Sequence, residues 1–177
     1  CACKSDGTVL CWGLDNYGQL GVDALHNDYS LSPIPLPGIS AVVGIAAGES
    51  HVCARKSDTS LYCWGRNYSG QLGVGDGTNR YVPTSVSLFG VTQLMLGNYY
   101  TCAKTTDGTV RCWGAGGSNS PSFVPAFTAL SAIALGGSHG CGLSPDLGVV
   151  CWGTNANGQL GDGTLTAHLT PANVIWP

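Results

Sequence analysis

The tripeptide Cys-Trp-Gly occurs four times in this chain, at Cys11-Trp12-Gly13, Cys63-Trp64-Gly65, Cys112-Trp113-Gly114 and Cys151-Trp152-Gly153. These anchors use four of the five tryptophans and lie 52, 49 and 39 residues apart. A period in that range is the mark of propeller blades and solenoid repeats, in which each unit is one supersecondary element that must stack on its neighbours.

Ten residues before each anchor cysteine stands another cysteine: Cys1, Cys53, Cys102 and Cys141. Between the two lies a turn, Asp6-Gly7 in the first copy, Asp58-Thr59 in the second, Asp107-Gly108 in the third and Asp146-Leu147-Gly148 in the fourth. Asp-Gly between two apolar runs is a strong hairpin signal. The even offset puts both cysteines of a pair on one face, opposite each other, within disulfide reach. Four cross-strand disulfides are therefore predicted: Cys1–Cys11, Cys53–Cys63, Cys102–Cys112 and Cys141–Cys151. Cys3 is the ninth of nine cysteines and is expected to be a free thiol, because its equivalents Arg55, Lys104 and Leu143 vary.

A chain of 177 residues is expected to form one domain. Charged residues make up 10%, glycines number 27, and no apolar run reaches the length of a membrane-spanning helix. With seven Lys and Arg and a net charge of −3, the chain lacks the clustered positive charge that nucleic acid requires. Four disulfides point to an oxidising compartment, secreted or at the cell surface. The sequence opens inside a hairpin with no visible signal peptide, as a mature or truncated segment would.

After the anchor comes a polar glycine-rich loop. It reads Asp15-Asn-Tyr-Gly-Gln-Leu-Gly21, then Asn67-Tyr-Ser-Gly-Gln-Leu-Gly73, and in the fourth copy Asn155-Ala-Asn-Gly-Gln-Leu-Gly161. The leucine is expected to plug into the core. Copy three has lost the motif and reads Ala115-Gly-Gly-Ser-Asn-Ser-Pro121. A proline-containing run follows (Pro33–Leu36, Val82–Val86, Val124–Phe127, Thr170–Val174). Next comes a run of small apolar residues ending in glycine (Val42–Gly48, Val91–Gly97, Leu130–Gly136). The expected unit is four short strands in the order proline strand, small-residue strand, cysteine strand, Cys-Trp-Gly strand, which makes a β-propeller blade. A β-solenoid is the alternative. The corresponding divisions are 1–32 (end of a first blade), 33–81, 82–121, 122–169, and a lone strand at 170–177.

The combination Ile45-Ala-Ala-Gly-x-x-His51-x-Cys53-Ala54, a hairpin, and Trp64-Gly-x-Asn67-x-x-Gly70-Gln-Leu-Gly73-x-Gly75 resembles the regulator of chromosome condensation repeat family. The resemblance covers essentially the whole chain and implies the seven-bladed propeller of that family. The paired cysteines depart from the nuclear prototype and are similar to secreted bacterial members whose blades are stapled. Fifteen expected strands make about half of such a ring. Either the chain is a segment of a longer propeller, or copies complete one another as a ring or a filament.

Candidate sites are few. His51 and His139 share a repeat position with Tyr100, two residues before the cysteine, which marks packing rather than catalysis. His26 and His168 fall in loops without a motif. Cysteines ten apart do not match zinc-ligand spacing, and Asp76-Gly-Thr78 and Asp162-Gly-Thr164 lack the alternating acidic ligands of a calcium loop. Asn67-Tyr68-Ser69 fits a glycosylation acceptor but overlaps the repeat's own loop. The Gly-Trp-Arg-His-Thr signature of the family's plant ultraviolet photoreceptor is missing, so the tryptophans read as packing. Tyr17, Tyr29, Tyr68, Tyr81 and Trp176, in or near loops, are the candidate binding aromatics. No catalytic, cofactor or metal residue is expected. The expected role is a non-enzymatic extracellular scaffold that self-assembles through open blade edges and loops, with protein, including further copies of itself, as partner. The alternative is a secreted protein-binding or inhibitor module like the family's β-lactamase inhibitory propeller. The exchange-factor role of the nuclear prototype is disfavoured by the disulfides.

Overall fold

A computed structural model of the chain describes residues 1–23, 29–115, 117–123, 130–146 and 148–176. Among these residues the regular elements are fifteen strands in four antiparallel sheets. The first sheet holds β1 (Ala2–Cys3), β2 (Val9–Leu14) and β3 (Tyr29–Pro35). The second holds β4 (Val42–Ala47), β5 (His51–Lys56), β6 (Leu61–Gly65) and β7 (Arg80–Val86). The third holds β8 (Val91–Leu96), β9 (Tyr100–Thr105), β10 (Val110–Gly114) and β11 (Ser122–Phe123). The fourth holds β12 (Ala132–Leu135), β13 (His139–Ser144), β14 (Gly148–Gly153) and β15 (His168–Asn173).

The hairpins form where the Asx turns predict. Asp6, Asp58 and Asp107 each accept the backbone N–H of the residue two further on, at 2.9, 3.0 and 3.0 Å. The registers oppose Cys53 to Cys63, Cys102 to Cys112 and Cys141 to Cys151, and each pair is disulfide-bonded, as is Cys1–Cys11. Cys3 is unpaired, half-buried, and its thiol donates to the Val42 carbonyl at 3.2 Å.

The strand inventory agrees with the sequence, but the grouping differs. The proline strand does not open a sheet. It closes one, pairing with the Cys-Trp-Gly strand before it: β3 with β2, β7 with β6, β15 with β14. The expected divisions at 33, 82, 122 and 170 therefore fall one strand early, and the strand expected to stand alone at the C-terminus completes the fourth sheet. The incomplete sheet is the first, where β1 has no inner neighbour. The third-copy proline run at 124–129 lies outside the described residues.

The small-residue strand is the inner one of each sheet, and β8 packs against both β4 and β12. Crowding there explains the terminal glycines. A β-carbon on Gly48 would strike the Gly97 carbonyl, and one on Gly97 would sit 2.7 Å from the Gly136 carbonyl.

The apolar cores lie between sheets rather than within them. Val9, Leu20, Val52, Ala54 and Trp64 join sheets one and two. Cys53, Leu61, Leu72, Ala103 and Trp113 join two and three. Met95, Tyr100, Val110, Leu130 and Trp152 join three and four. Each junction is centred on the tryptophan of the later sheet.

Candidate functional site

The loops after the anchors build these junctions. In copy two the Asn67 carboxamide accepts the Leu72 N–H at 2.9 Å and donates to the Asp76 and Thr78 carbonyls at 2.8 and 3.0 Å. Asn155 repeats this with Leu160 at 3.0 Å, and the Asp15 carboxylate accepts the Leu20 N–H at 2.7 Å in copy one. Held this way, Leu20, Leu72 and Leu160 are fully or almost fully buried. The next sheet's tryptophan closes over the plug. Trp64 Nε1 donates to the Gln19 carbonyl at 3.0 Å and Trp113 Nε1 to the Gln71 carbonyl at 2.9 Å. The glycine after the leucine permits that approach, since a β-carbon on Gly73 would lie 2.6 Å from Trp113 Nε1.

His51 belongs to the same construction. Its Nε2 lies 2.8 Å from Thr101 Oγ1, and that hydroxyl donates to the Gln71 carbonyl at 2.8 Å. The single hydroxyl proton is thereby used, so the imidazole N–H is on Nε2 and donates to Thr101. Burial lowers the His51 pKa to about 4, so the ring is neutral at physiological pH. Tyr100, at the equivalent position, donates through its hydroxyl to the His139 carbonyl, and burial pushes its phenol well up. Both side chains bridge sheets, as a shared repeat position predicts.

The Asp-Gly-Thr segments are turns with a basic lid. Asp76 Oδ1 accepts the Thr78 N–H at 2.9 Å and its Oδ2 pairs with Arg80 at 2.7 Å, which holds its pKa down. Asp162 accepts the Thr164 N–H at 2.9 Å and pairs with His168 Nε2 at 2.8 Å. His168 thus opens β15 instead of lying free in a loop. His26 lies outside the described residues. The Asn67 amide, fully buried and engaged in the loop, offers no glycan acceptor in the folded chain.

Two surfaces stand out. The first is the exposed end of sheet one. Trp64, Trp113 and Trp152 are 0, 2 and 5% exposed, whereas Trp12, at the same repeat position, is 46% exposed. At the other end, a β-carbon on Gly161 would meet only Val174, where Gly21 would meet both Leu36 and Trp64. One end therefore carries a bare tryptophan and the other a plug loop with no tryptophan over it.

The second surface is a cluster of aromatic rings around Arg66. Strand alternation puts the β8–β9 turn and the loops after β2 and β6 at one end of the blades. There the Arg66 guanidinium lies 4.9 Å from the Tyr17 ring centroid, 5.6 Å from Tyr68 and 5.2 Å from Tyr99. Tyr17 and Tyr68 meet edge to face at 6.1 Å. Tyr68 is 66% exposed, so the cluster faces solvent. Of the five candidate aromatics, Tyr17 and Tyr68 come together here. Tyr29 and Trp176 are exposed elsewhere, and Tyr81 is half-buried against Gly18. Arg66 and Tyr99 were not anticipated. Arg66 directly follows an anchor, where copies one, three and four have Leu14, Ala115 and Thr154, and that divergence was the available signal.

Comparison with known proteins accords with this architecture. The ultraviolet-B receptor UVR8 of Arabidopsis thaliana is 31% identical over 90 residues, covering 51% of this chain and 20% of the receptor. Human WBSCR16 superposes with a TM-score of 0.84 at 27% identity, covering 99% of this chain and 50% of that one. Yeast RCC1 (Prp20), solved bound to Kap60, gives a TM-score of 0.84 at 22% identity, covering 96% and 45%. The chain thus spans about half of the solved propellers and a fifth of the receptor. Regulator of chromosome condensation (RCC1) repeats match at residues 6–55 and 58–103, and a second description of the same repeat matches at 42–71, 91–120 and 130–159. With its four antiparallel sheets set around a common inner edge, and Trp64 and Trp113 each closing on the preceding plug, the chain belongs to the RCC1 repeat family as part of a propeller ring.

Proposed function

We propose that this chain is a non-enzymatic extracellular propeller segment that acts as an assembly scaffold, docking further blades of its own kind on its two ends. The observation that carries this reading is the 46% exposure of Trp12 where three equivalents are buried. The half-exposed Trp12 and the Gln159-Leu160-Gly161 loop, over which no tryptophan closes, correspond to the two halves of the contact that joins sheet one to sheet two and sheet two to sheet three. Such a contact is heterologous and closes a ring or propagates, depending on the angle between copies. It uses blade faces, since the C-terminal proline strand is already paired. The four disulfides fit an oxidising compartment. Sedimentation across a concentration series tests the reading: association is expected, and Trp12→Ser is expected to abolish it. A monomer at all concentrations overturns it.

The Arg66 cluster favours a second reading, in which the loop face binds another protein as an inhibitor or adaptor would. Tyrosine and arginine dominate interface hot spots, and three rings holding a guanidinium in place reduce its ordering cost. Arg66→Ala would weaken capture of such a partner without altering self-association.

A further inference from the structure

The junction between sheets three and four lacks its plug. Fourteen residues separate β6 from β7 and β14 from β15, but only seven separate β10 from β11. The shortened loop turns tightly, with Gly117 N–H donating to the Gly114 carbonyl and Gly114 N–H to the Ser118 carbonyl, both at 2.9 Å. It then leans backwards onto copy two, where the Asn119 carbonyl accepts the Gly75 N–H at 2.9 Å. The sequence 115–121 contains no leucine that could take the place of Leu20 or Leu72. A cavity of about 170 Å³ opens there, with Trp113, Cys112 and Tyr100 on one side and Trp152, Gly153 and Leu169 on the other. An engineered apolar cavity of about 150 Å³ is enough to hold benzene, so this one has room for an isobutyl group.

We propose that this cavity is a binding site for a leucine side chain presented by a partner polypeptide in a Gly-Gln-Leu-Gly-type turn. The molecule itself defines the ligand. At both preceding junctions the same slot is filled by that turn, with Leu20 and Leu72 buried against the next sheet's tryptophan. At the third junction the filling has been removed from the chain while the tryptophan wall remains. Ser118, Ser122 and Ser138 at the lining supply polar groups for the incoming backbone. The exposed Leu169 stands at the mouth. This site is separate from the end faces, so it stands whether or not the chain self-associates.

The probe is the blocked heptapeptide Asn-Tyr-Ser-Gly-Gln-Leu-Gly, the sequence of 67–73, titrated into the intact oxidised protein and followed by the indole resonances of Trp113 and Trp152. Saturable shifts of Trp152 are expected. The same peptide with alanine for leucine should bind roughly tenfold or more weakly, because burying a leucine side chain is the main driving term. Leu169→Ser, at an exposed position, should weaken binding while leaving the fold intact. Replacing 115–121 with the copy-two loop 66–79 should abolish it, since the graft carries its own plug. Equal binding of the two peptides overturns the proposal. So does uptake of benzene with no response to either peptide, which would make the cavity a packing void.

Discussion

The junction between sheets two and three and the junction between sheets three and four have the same tryptophan wall and opposite fillings. At the first, Leu72 packs against Trp113, whose indole donates to the Gln71 carbonyl that Thr101, hydrogen-bonded to His51, also reaches. At the second, Tyr100 spans to the His139 carbonyl, and a cavity lies between Trp113 and Trp152. The contrast separates two jobs that the repeat normally combines. The tryptophan and the disulfide hairpin set the spacing of the sheets, whereas the loop sets how tightly the space between them is filled. A copy can lose the second without losing the first.

The largest expected effect that tests this division is at Trp113. Trp113→Ala should cost about 3–5 kcal/mol by chemical denaturation, whereas Trp12→Ala, in the same motif but half exposed, should cost about 0.5 kcal/mol. Equal losses would mean that the motif stabilises its own sheet and not the junction. Leu72→Ala should cost about 2–5 kcal/mol, and a loss at the low end would show that the plugged junction relaxes to resemble the unplugged one.

Acid should loosen the filled junction selectively. The unfolded chain takes up a proton on His51 near the ordinary histidine pKa of 6.5, but the folded chain does not until about pH 4. The stability from keeping this ring neutral is therefore complete above pH 6.5 and falls as the pH drops toward 4, by about 3 kcal/mol in all. His51→Gln should remove most of that slope in melting experiments across this range. The turn carboxylates Asp6, Asp58, Asp76, Asp107 and Asp162 all have lowered pKa values, Asp107 to about 2, and add an acid loss at lower pH still.

The smallest effect concerns the staples. Each disulfide spans a sequence separation of only 10, so replacing both cysteines of one pair by serine should cost about 3 kcal/mol or less. Removal of Cys102–Cys112, which borders the cavity, should cost less than removal of Cys53–Cys63 if tight filling amplifies the loss.

Much of this fold was legible because its signals are local. A ten-residue offset around an Asp-Gly turn determines both the hairpin and the cysteine opposite, and Gly48, Gly97 and Gly136 mark the crowded inner strand. The position of the proline strand was not legible. Six residues join β3 to β4, and fourteen separate it from β2, so spacing alone favours the wrong neighbour. The chain instead pairs across the long loop, because that loop is pinned by Asn67 and its equivalents, and the short link carries the chain to the next sheet. The Arg66 cluster was half legible. Tyr17 and Tyr68 stand in equivalent loops, but Tyr99 reaches them from a different turn of the next sheet, a proximity set by the curvature of the ring. The cavity could be anticipated as a missing motif, but not as a space, because whether a deletion leaves a void depends on how far its neighbours collapse.

Because the apolar cores among the described residues lie between two sheets, no blade owns its stability. Opening one junction exposes half the core of each adjoining sheet and leaves more distant ones untouched, the nearest-neighbour coupling of a linear array. Amide exchange should accordingly be graded, slowest in β5 and β6, whose sheet lies between two filled junctions, and faster in sheets three and four, which share the unplugged one.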